Sequence, residues 1–355
     1  MPPYTAFRGP PRVLQCRAGS DEYERDSDMT ILVTGGAGYI GSHTVRLLRE
    51  RGRDVVVVDT MEFGHTAAIG DTPLVRADIA DRQAIADVVR DYDVDAVMHF
   101  AAYKAAGESM ERPGRYFHNN VAGSAALLET LAQLGVMRLI FSSSCAVYGT
   151  PDGLPVCEDS AIRPESPYGE SKAIIERIMS WYDRCLGLRS ISLRYFNAAG
   201  AWPDGSIGED WTVTLNLVPL IMKAALGRRG ALQVFGTDYP TPDGTAIRDY
   251  VHVLDLAEAH LSALELLEGG GPSTAVNLGT GVGSSVLEVL ASAEKAIGRP
   301  VPYELAPRRP GDPVALYSDG SYARRLLGWH PNHGLGDIVS SAWAWHSTHP
   351  DGFGD

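Results

Sequence analysis

Tyr168 and Lys172 stand four residues apart in the stretch SPYGESK, a spacing that puts both side chains on one helical face. An ammonium close to a phenol favours the phenolate and lowers a pKa that is about 10 when unperturbed. A second cation beside the pair lowers it further. Each unit corresponds to about 1.4 kcal/mol, so two cations can turn a tyrosine into a base near neutrality. Ser144, the last residue of the run FSSS, offers a hydroxyl that can bridge a substrate hydroxyl and the phenol. Taken singly, these residues have ordinary readings: an aromatic stem beside a solvated lysine, and a serine ending a strand. Their weight comes from what precedes them.

Upstream, MTILVTGGAGYIGSHTVRLLRERGRDVVVVD runs from Met29 to Asp59. A short apolar run, a glycine turn, a helix-like segment and a second apolar run make the β-turn-α-β order of a dinucleotide-binding unit. Gly35, Gly38 and Gly41 fall in the frame G-x-x-G-x-x-G. They serve a tight turn, close approach of backbone to a pyrophosphate, and close packing of helix on strand. Phosphates then sit at the helix N-terminus, where backbone N–H groups lack partners. Asp59 closes the second strand 18 residues after Gly41, where its carboxylate can accept both ribose hydroxyls. The same charge repels a 2′-phosphate, which predicts NAD rather than NADP.

Apolar periodicity supplies the elements that must position these groups. Strands are expected at Pro73–Ala77, Asp95–Ala102, Met137–Ser144 and Leu188–Asn197, and helices at Asp81–Tyr92, Gly114–Leu134 and Pro167–Cys185. Alternation of this kind implies an α/β fold, a doubly wound parallel sheet of Rossmann type with helices on both faces. Ligands gather at the carboxyl ends of such strands. The texture changes after Asn197. An NAD-binding domain is therefore expected over residues 29–197, with the chain returning to it around 248–268, and a smaller α/β substrate-binding domain over most of 198–355. Residues 1–28, proline-bearing and then acidic, read as a disordered leader.

A net charge of −13 over 355 residues argues against a nucleic-acid surface. No apolar run approaches the roughly 20 residues of a membrane span. The four cysteines, Cys16, Cys145, Cys157 and Cys185, form no CxxC pair and no disulfide framework. A cytoplasmic compartment is expected, and no metal is called for.

The segments TGGAGYIGSH, FSSSCAVYG, SPYGESK, RYFNAAGAWPDGSIGED, FGTDYPTPDGTAIRDYVHV and APRRPGD together closely resemble the UDP-glucose 4-epimerases of the extended short-chain dehydrogenase/reductase family. The likeness runs from about Met29 to the C-terminus. It implies tightly held NAD and reversible inversion at C4 of a UDP-hexose through a 4-keto sugar, as in galactose metabolism. Tyr168 would be the base, assisted by Lys172 and Ser144. By the same resemblance Tyr39, Ile40, Asp59, Asp78, Ile79, Phe100, Ala101, Ala102, Lys104, Asn119 and Phe196 would line the cofactor. Asn197, Asn216, Leu217, Gln233, Val234, Phe235, Arg248, Arg309 and Asp312 would hold the UDP-sugar, the two arginines as charge-assisted forks to its diphosphate. Relatives pair the helices around Gly114–Leu134 and Ser166–Cys185 into a dimer, so a homodimer is expected.

The chain also departs from the family pattern. Thr60 follows Asp59 where Asn is frequent, and MEFGH replaces the usual loop after it. Cys145 reads as a buried packing thiol. Leu316 stands where some relatives carry a Tyr that walls off the sugar pocket, which predicts partial tolerance of N-acetylated UDP-hexosamines. A 4,6-dehydratase on the same fold would need an acid/base pair where this chain has Cys145 and Ala146, which cannot move protons there. A reductase that releases NADH and a catalytically idle NAD-sensing protein are the other readings; intact Ser144, Tyr168 and Lys172 weigh against the second.

Overall fold

The computed structural model describes residues 29–211, 216–309 and 312–354. The expected leader, residues 1–28, lies outside them. Six strands lead the chain into its main sheet: β1 (Thr30–Thr34), β2 (Asp54–Asp59), β3 (Leu74–Arg76), β4 (Val94–His99), β5 (Arg138–Ser144) and β6 (Arg189–Tyr195). The helices that alternate with them are α1 (Tyr39–Glu50), α2 (Arg82–Asp91), α3 (Ala106–Glu111), α4 (Pro113–Tyr116), α5 (Gly123–Leu134) and α6 (Pro167–Leu186).

The rest of the chain carries short strands β7 (Asn197–Ala199), β8 (Leu232–Phe235), β9 (Ile247–His252), β10 (Thr274–Leu278), β11 (Gly283–Ser285), β12 (Tyr303–Ala306) and β13 (Ala315–Leu316). Its helices are α7 (Leu217–Ala225), α8 (Val253–Glu268), α9 (Val286–Ile297), α10 (Ser321–Leu327) and α11 (Leu335–Thr348).

The main sheet has seven parallel strands in the order β10-β6-β5-β4-β1-β2-β3. Its centre is apolar on both faces: Ile31, Leu32 and Val33 of β1 and Val56, Val57 and Val58 of β2 have no exposed area. That is the pattern of strands covered on two sides. Each such side chain stabilises the fold by about 1.5–3 kcal/mol relative to an exposed one. One face packs on α1 and α8, the other on α2, α5 and α6.

The sequence order changes in two places. The strand expected at the head of the returning segment, β9, does not join the main sheet. It pairs with β7, β11 and β13 in the smaller sheet. Helix α8 does pack on α1, and the strand that completes the main sheet is β10, beside β6. The second change is in the helix expected over Gly114–Leu134. Between α4 and α5, residues Phe117–Ala122 form a π-helical segment, a wider turn that recurs at functional sites.

Candidate active site

The glycine turn after β1 is built for close approach. Gly35 has φ +70°, a conformation natural to glycine, and a Cβ there would lie 2.5 Å from the Ala101 nitrogen. A Cβ on Gly41 would lie 2.3 Å from the Gly35 carbonyl oxygen. Helix α1 begins after Gly38 without any side chain capping its first N–H groups. Those donors and the positive end of the helix face the turn. Asp59, at the end of β2, is 9% exposed, and its carboxylate accepts N–H bonds from Ala37 at 3.1 Å and Met61 at 2.9 Å. Burial raises its pKa against the pull of those two bonds. A bare cradle, an uncapped helix start and a buried carboxylate at the ribose position fit an adenine dinucleotide.

Other residues expected around the cofactor surround the same strand ends. Phe100 and Ala101 donate their N–H groups to the Thr34 carbonyl, at 2.9 and 3.1 Å, closing the β4 loop onto β1. Tyr39 donates its hydroxyl to the Gly200 carbonyl at 2.6 Å. Lys104 lies 3.1 Å from the Glu209 carboxylate. Ile79 is buried against Gly123, whereas Asp78 is exposed and accepts the Ala80 N–H. Asn119 donates to the side chain of Asn120 at 3.0 Å. Ile40 packs against the main core, and Phe196 is buried with Leu316, Tyr148 and Ala173.

Ser144 ends β5, and its hydroxyl accepts the Ala146 N–H at 3.2 Å. Tyr168 and Lys172 lie on α6, which starts at the cap of Ser166 with Pro167 in its first turn. Lys172 is buried and donates to the Ser142 carbonyl at 2.7 Å. Burial lowers its pKa to about 7, against the pull of Glu176. Burial likewise pushes the Tyr168 phenol up to about 12, although the Ser144 hydroxyl beside it acts the other way. Desolvation is the largest influence on the phenol.

The residues expected to hold the substrate lie mostly in the second half of the chain. In the small sheet Leu316 lies in register with Arg248, whose guanidinium is 3.7 Å from Asp312. Burial raises the Cys145 thiol to about 12, against the pull of the Arg248 charge. Arg309 lies 3.8 Å over the Phe235 ring. Asn197 donates to the Asp249 carbonyl at 3.1 Å, Gln233 to Glu304 at 2.9 Å, and Asn216 to Glu209 at 2.9 Å. Val234 is fully buried in the core below, and Leu217 packs against it from α7.

Several supporting groups escaped sequence reasoning. Asn120, fully buried in the π segment, accepts the Tyr103 N–H at 2.9 Å and donates to Ser171 at 3.1 Å, next to Lys172. His99 lies between the Thr34 and Ser124 hydroxyls at 2.7 and 2.8 Å, and burial, aided by the Lys172 charge, lowers it to about 3. The Arg194 fork from β6 grips Glu176, one turn beyond Lys172, at 2.5 and 3.0 Å. The only signal for these was a polar residue inside an apolar pattern.

Fold and site together define a dinucleotide-binding α/β protein with Ser144, Tyr168 and Lys172 at the carboxyl end of β5. The model of the NAD dependent epimerase/dehydratase family matches residues 31–279. The UDP-glucose 4-epimerase of Streptococcus mutans is 51% identical over 331 residues, covering 92% of this chain and 99% of the relative. The UDP-glucose 4-epimerase structure from Brucella ovis in complex with NAD matches with a TM-score of 0.87 at 45% identity, covering 89% of this chain and 97% of that one. That from Bifidobacterium longum in complex with NAD+ and UDP has a TM-score of 0.86 at 39% identity, with 92% and 100% covered. The chain belongs to the NAD dependent epimerase/dehydratase family.

Proposed function

We propose that this chain interconverts UDP-glucose and UDP-galactose by inverting C4 of the sugar with NAD held in the glycine-lined cleft. The observation that carries this reading is the meeting of Ser144, whose hydroxyl hydrogen-bonds the Tyr168 phenol, with Lys172, 5.9 Å from the Tyr168 ring centre, at the carboxyl end of β5. Bound NAD supplies the reversible hydride acceptor that inversion at a carbinol carbon needs. Tyr168 Oη takes the proton of the 4-hydroxyl and later gives it back, and Ser144 relays between the two oxygens. Lys172, anchored to β5 one helical turn beyond the phenol, favours the phenolate in its charged form, and Arg248 and Arg309 grip the diphosphate while the 4-keto sugar turns over. Cys145 and Ala146 leave no acid/base pair for dehydration.

Purified protein given UDP-galactose and no added cofactor tests the reading. UDP-glucose should form; no product without NAD but product with it would instead indicate a cofactor that comes and goes. Three finer points belong to the same proposal. Leu316 is smaller than a Tyr at this position, so UDP-GlcNAc should turn over at more than a thousandth of the UDP-glucose rate, a difference of roughly 4 kcal/mol. Residues 29–197 with α8 and β10 serve the cofactor and the remainder chiefly the UDP-sugar; a role in galactose metabolism goes with that chemistry, and four cysteines with no CxxC pair favour the cytoplasm. A homodimer rests on Phe117, Trp181 and Leu186, large apolar side chains left exposed. The inner stripe of Leu127, Leu128 and Leu131 is spent on the chain's own core. Sedimentation at monomer mass would reject the dimer.

A further inference from the structure

The loop MEFGH, where the chain departs from its relatives, does more than follow Asp59. Its base is fastened to the glycine turn. Asp59 accepts the N–H groups of both Ala37 and Met61, and His65 donates its N–H to the Ala37 carbonyl at 3.0 Å. A Cβ on Gly64 would lie 2.8 Å from the Ala37 Cβ and 3.0 Å from the Asp59 carboxylate, so the loop lies directly on the turn. Met61 takes φ +62°, a strained value for a non-glycine residue that the surrounding bonds must hold.

The tip of the loop reaches the opposite wall. Glu62 accepts the Tyr103 hydroxyl at 2.6 Å and pairs with the Arg115 guanidinium. Arg115 lies 3.9 Å over the Tyr103 ring and also pairs with Glu108, while Phe63 meets Tyr103 edge-on at 6.2 Å. Tyr103 belongs to the loop after β4, held by Asn120, and Glu62 to the loop after β2. In the sheet, β1 runs between those two strands. The contacts therefore close a ring around the carboxyl end of β1, where the glycine turn offers its N–H groups.

We propose that Glu62, Tyr103 and Arg115 form a clasp that retains the adenine dinucleotide and sets the rate at which it leaves. This rests on the cofactor reading above. The ring bridges the two walls of the groove, so a dinucleotide lying along the glycine turn departs only after the Glu62 carboxylate lets go. The clasp is ionic and partly exposed, with Glu62 at 44% and Arg115 at 24%, so salt loosens it.

The test is exchange of bound NAD for NADH in the purified holoenzyme, followed by the fluorescence of bound NADH. Glu62→Ala and Arg115→Ala should each exchange about fivefold faster than the parent, and the double variant no faster than either. Raising the salt concentration should speed exchange in the parent but not in Glu62→Ala. Asp152→Ala, which removes the remote exposed pair with Arg163, should leave exchange unchanged. Exchange within twofold of the parent in both single variants, or equal salt dependence in all, overturns the clasp. A purified parent protein that releases no NAD on denaturation overturns the cofactor reading itself.

Discussion

Lys172 Nζ donates to the Ser142 carbonyl at 2.7 Å, while the same nitrogen lies 5.9 Å from the ring centre of Tyr168, one turn earlier on α6. The lysine is thus anchored to strand β5 rather than to the phenol it is expected to assist. Spacing on a helix establishes that two side chains share a face; it does not establish which partner either one takes. Burial lowers Lys172 to about 7 and raises Tyr168 to about 12.

Replacing Tyr168 by Phe removes the proposed proton carrier and keeps the ring. Conversion of UDP-galactose should fall by about 10³-fold. Turnover within tenfold of the parent would take Tyr168 out of that role.

The buried lysine should also be visible in stability. Its folded value of about 7 lies below the ordinary 10.5, so between these values the unfolded chain binds more protons and this group makes stability rise with pH. Below about 7 the effect is constant. Lys172→Met abolishes it. The melting temperature of the parent relative to this variant should therefore climb as pH goes from 7 to 10, read by calorimetry. A flat difference over that range would mean the ammonium is not desolvated.

Glu176 and the Arg194 fork are 12% and 8% exposed as side chains. Glu176→Gln leaves a buried guanidinium without its counter-charge and should destabilise the protein by about 3–5 kcal/mol in denaturant unfolding. The double change Glu176→Met with Arg194→Met should lose less than that single one, because it strands no charge. The reverse order would contradict the assignment.

Leu316→Tyr should narrow the sugar pocket. Turnover of UDP-GlcNAc is expected to drop at least about tenfold relative to UDP-glucose, a difference of about 1.4 kcal/mol. Equal loss on both sugars would show that position 316 does not face the C2 substituent.

Much of this molecule is legible in its residues. Glycine spacing with Asp59 located the cradle, since both follow from local backbone demands. The apolar runs placed β1 to β6 to within a few residues. What could not be read was set by tertiary partners. Nothing near β9 says that it joins β7 rather than β6, because a short apolar strand suits either sheet. The π segment over Phe117–Ala122 has no glycine or proline inside it to mark it, yet it carries Asn120 to Tyr103 and Ser171. The charge state of Lys172 depends on burial among β4, β5 and α6, which no spacing rule contains.

The two-residue strand β13 pairs with β9 so that Leu316 lies opposite Arg248. The side chain proposed to gauge the hexose and the one proposed to anchor its nucleotide thus ride on a single hydrogen-bonded ribbon. Under the proposed function, a change at residue 316 alters the space for the sugar while the proposed diphosphate grip of Arg248 stays in place.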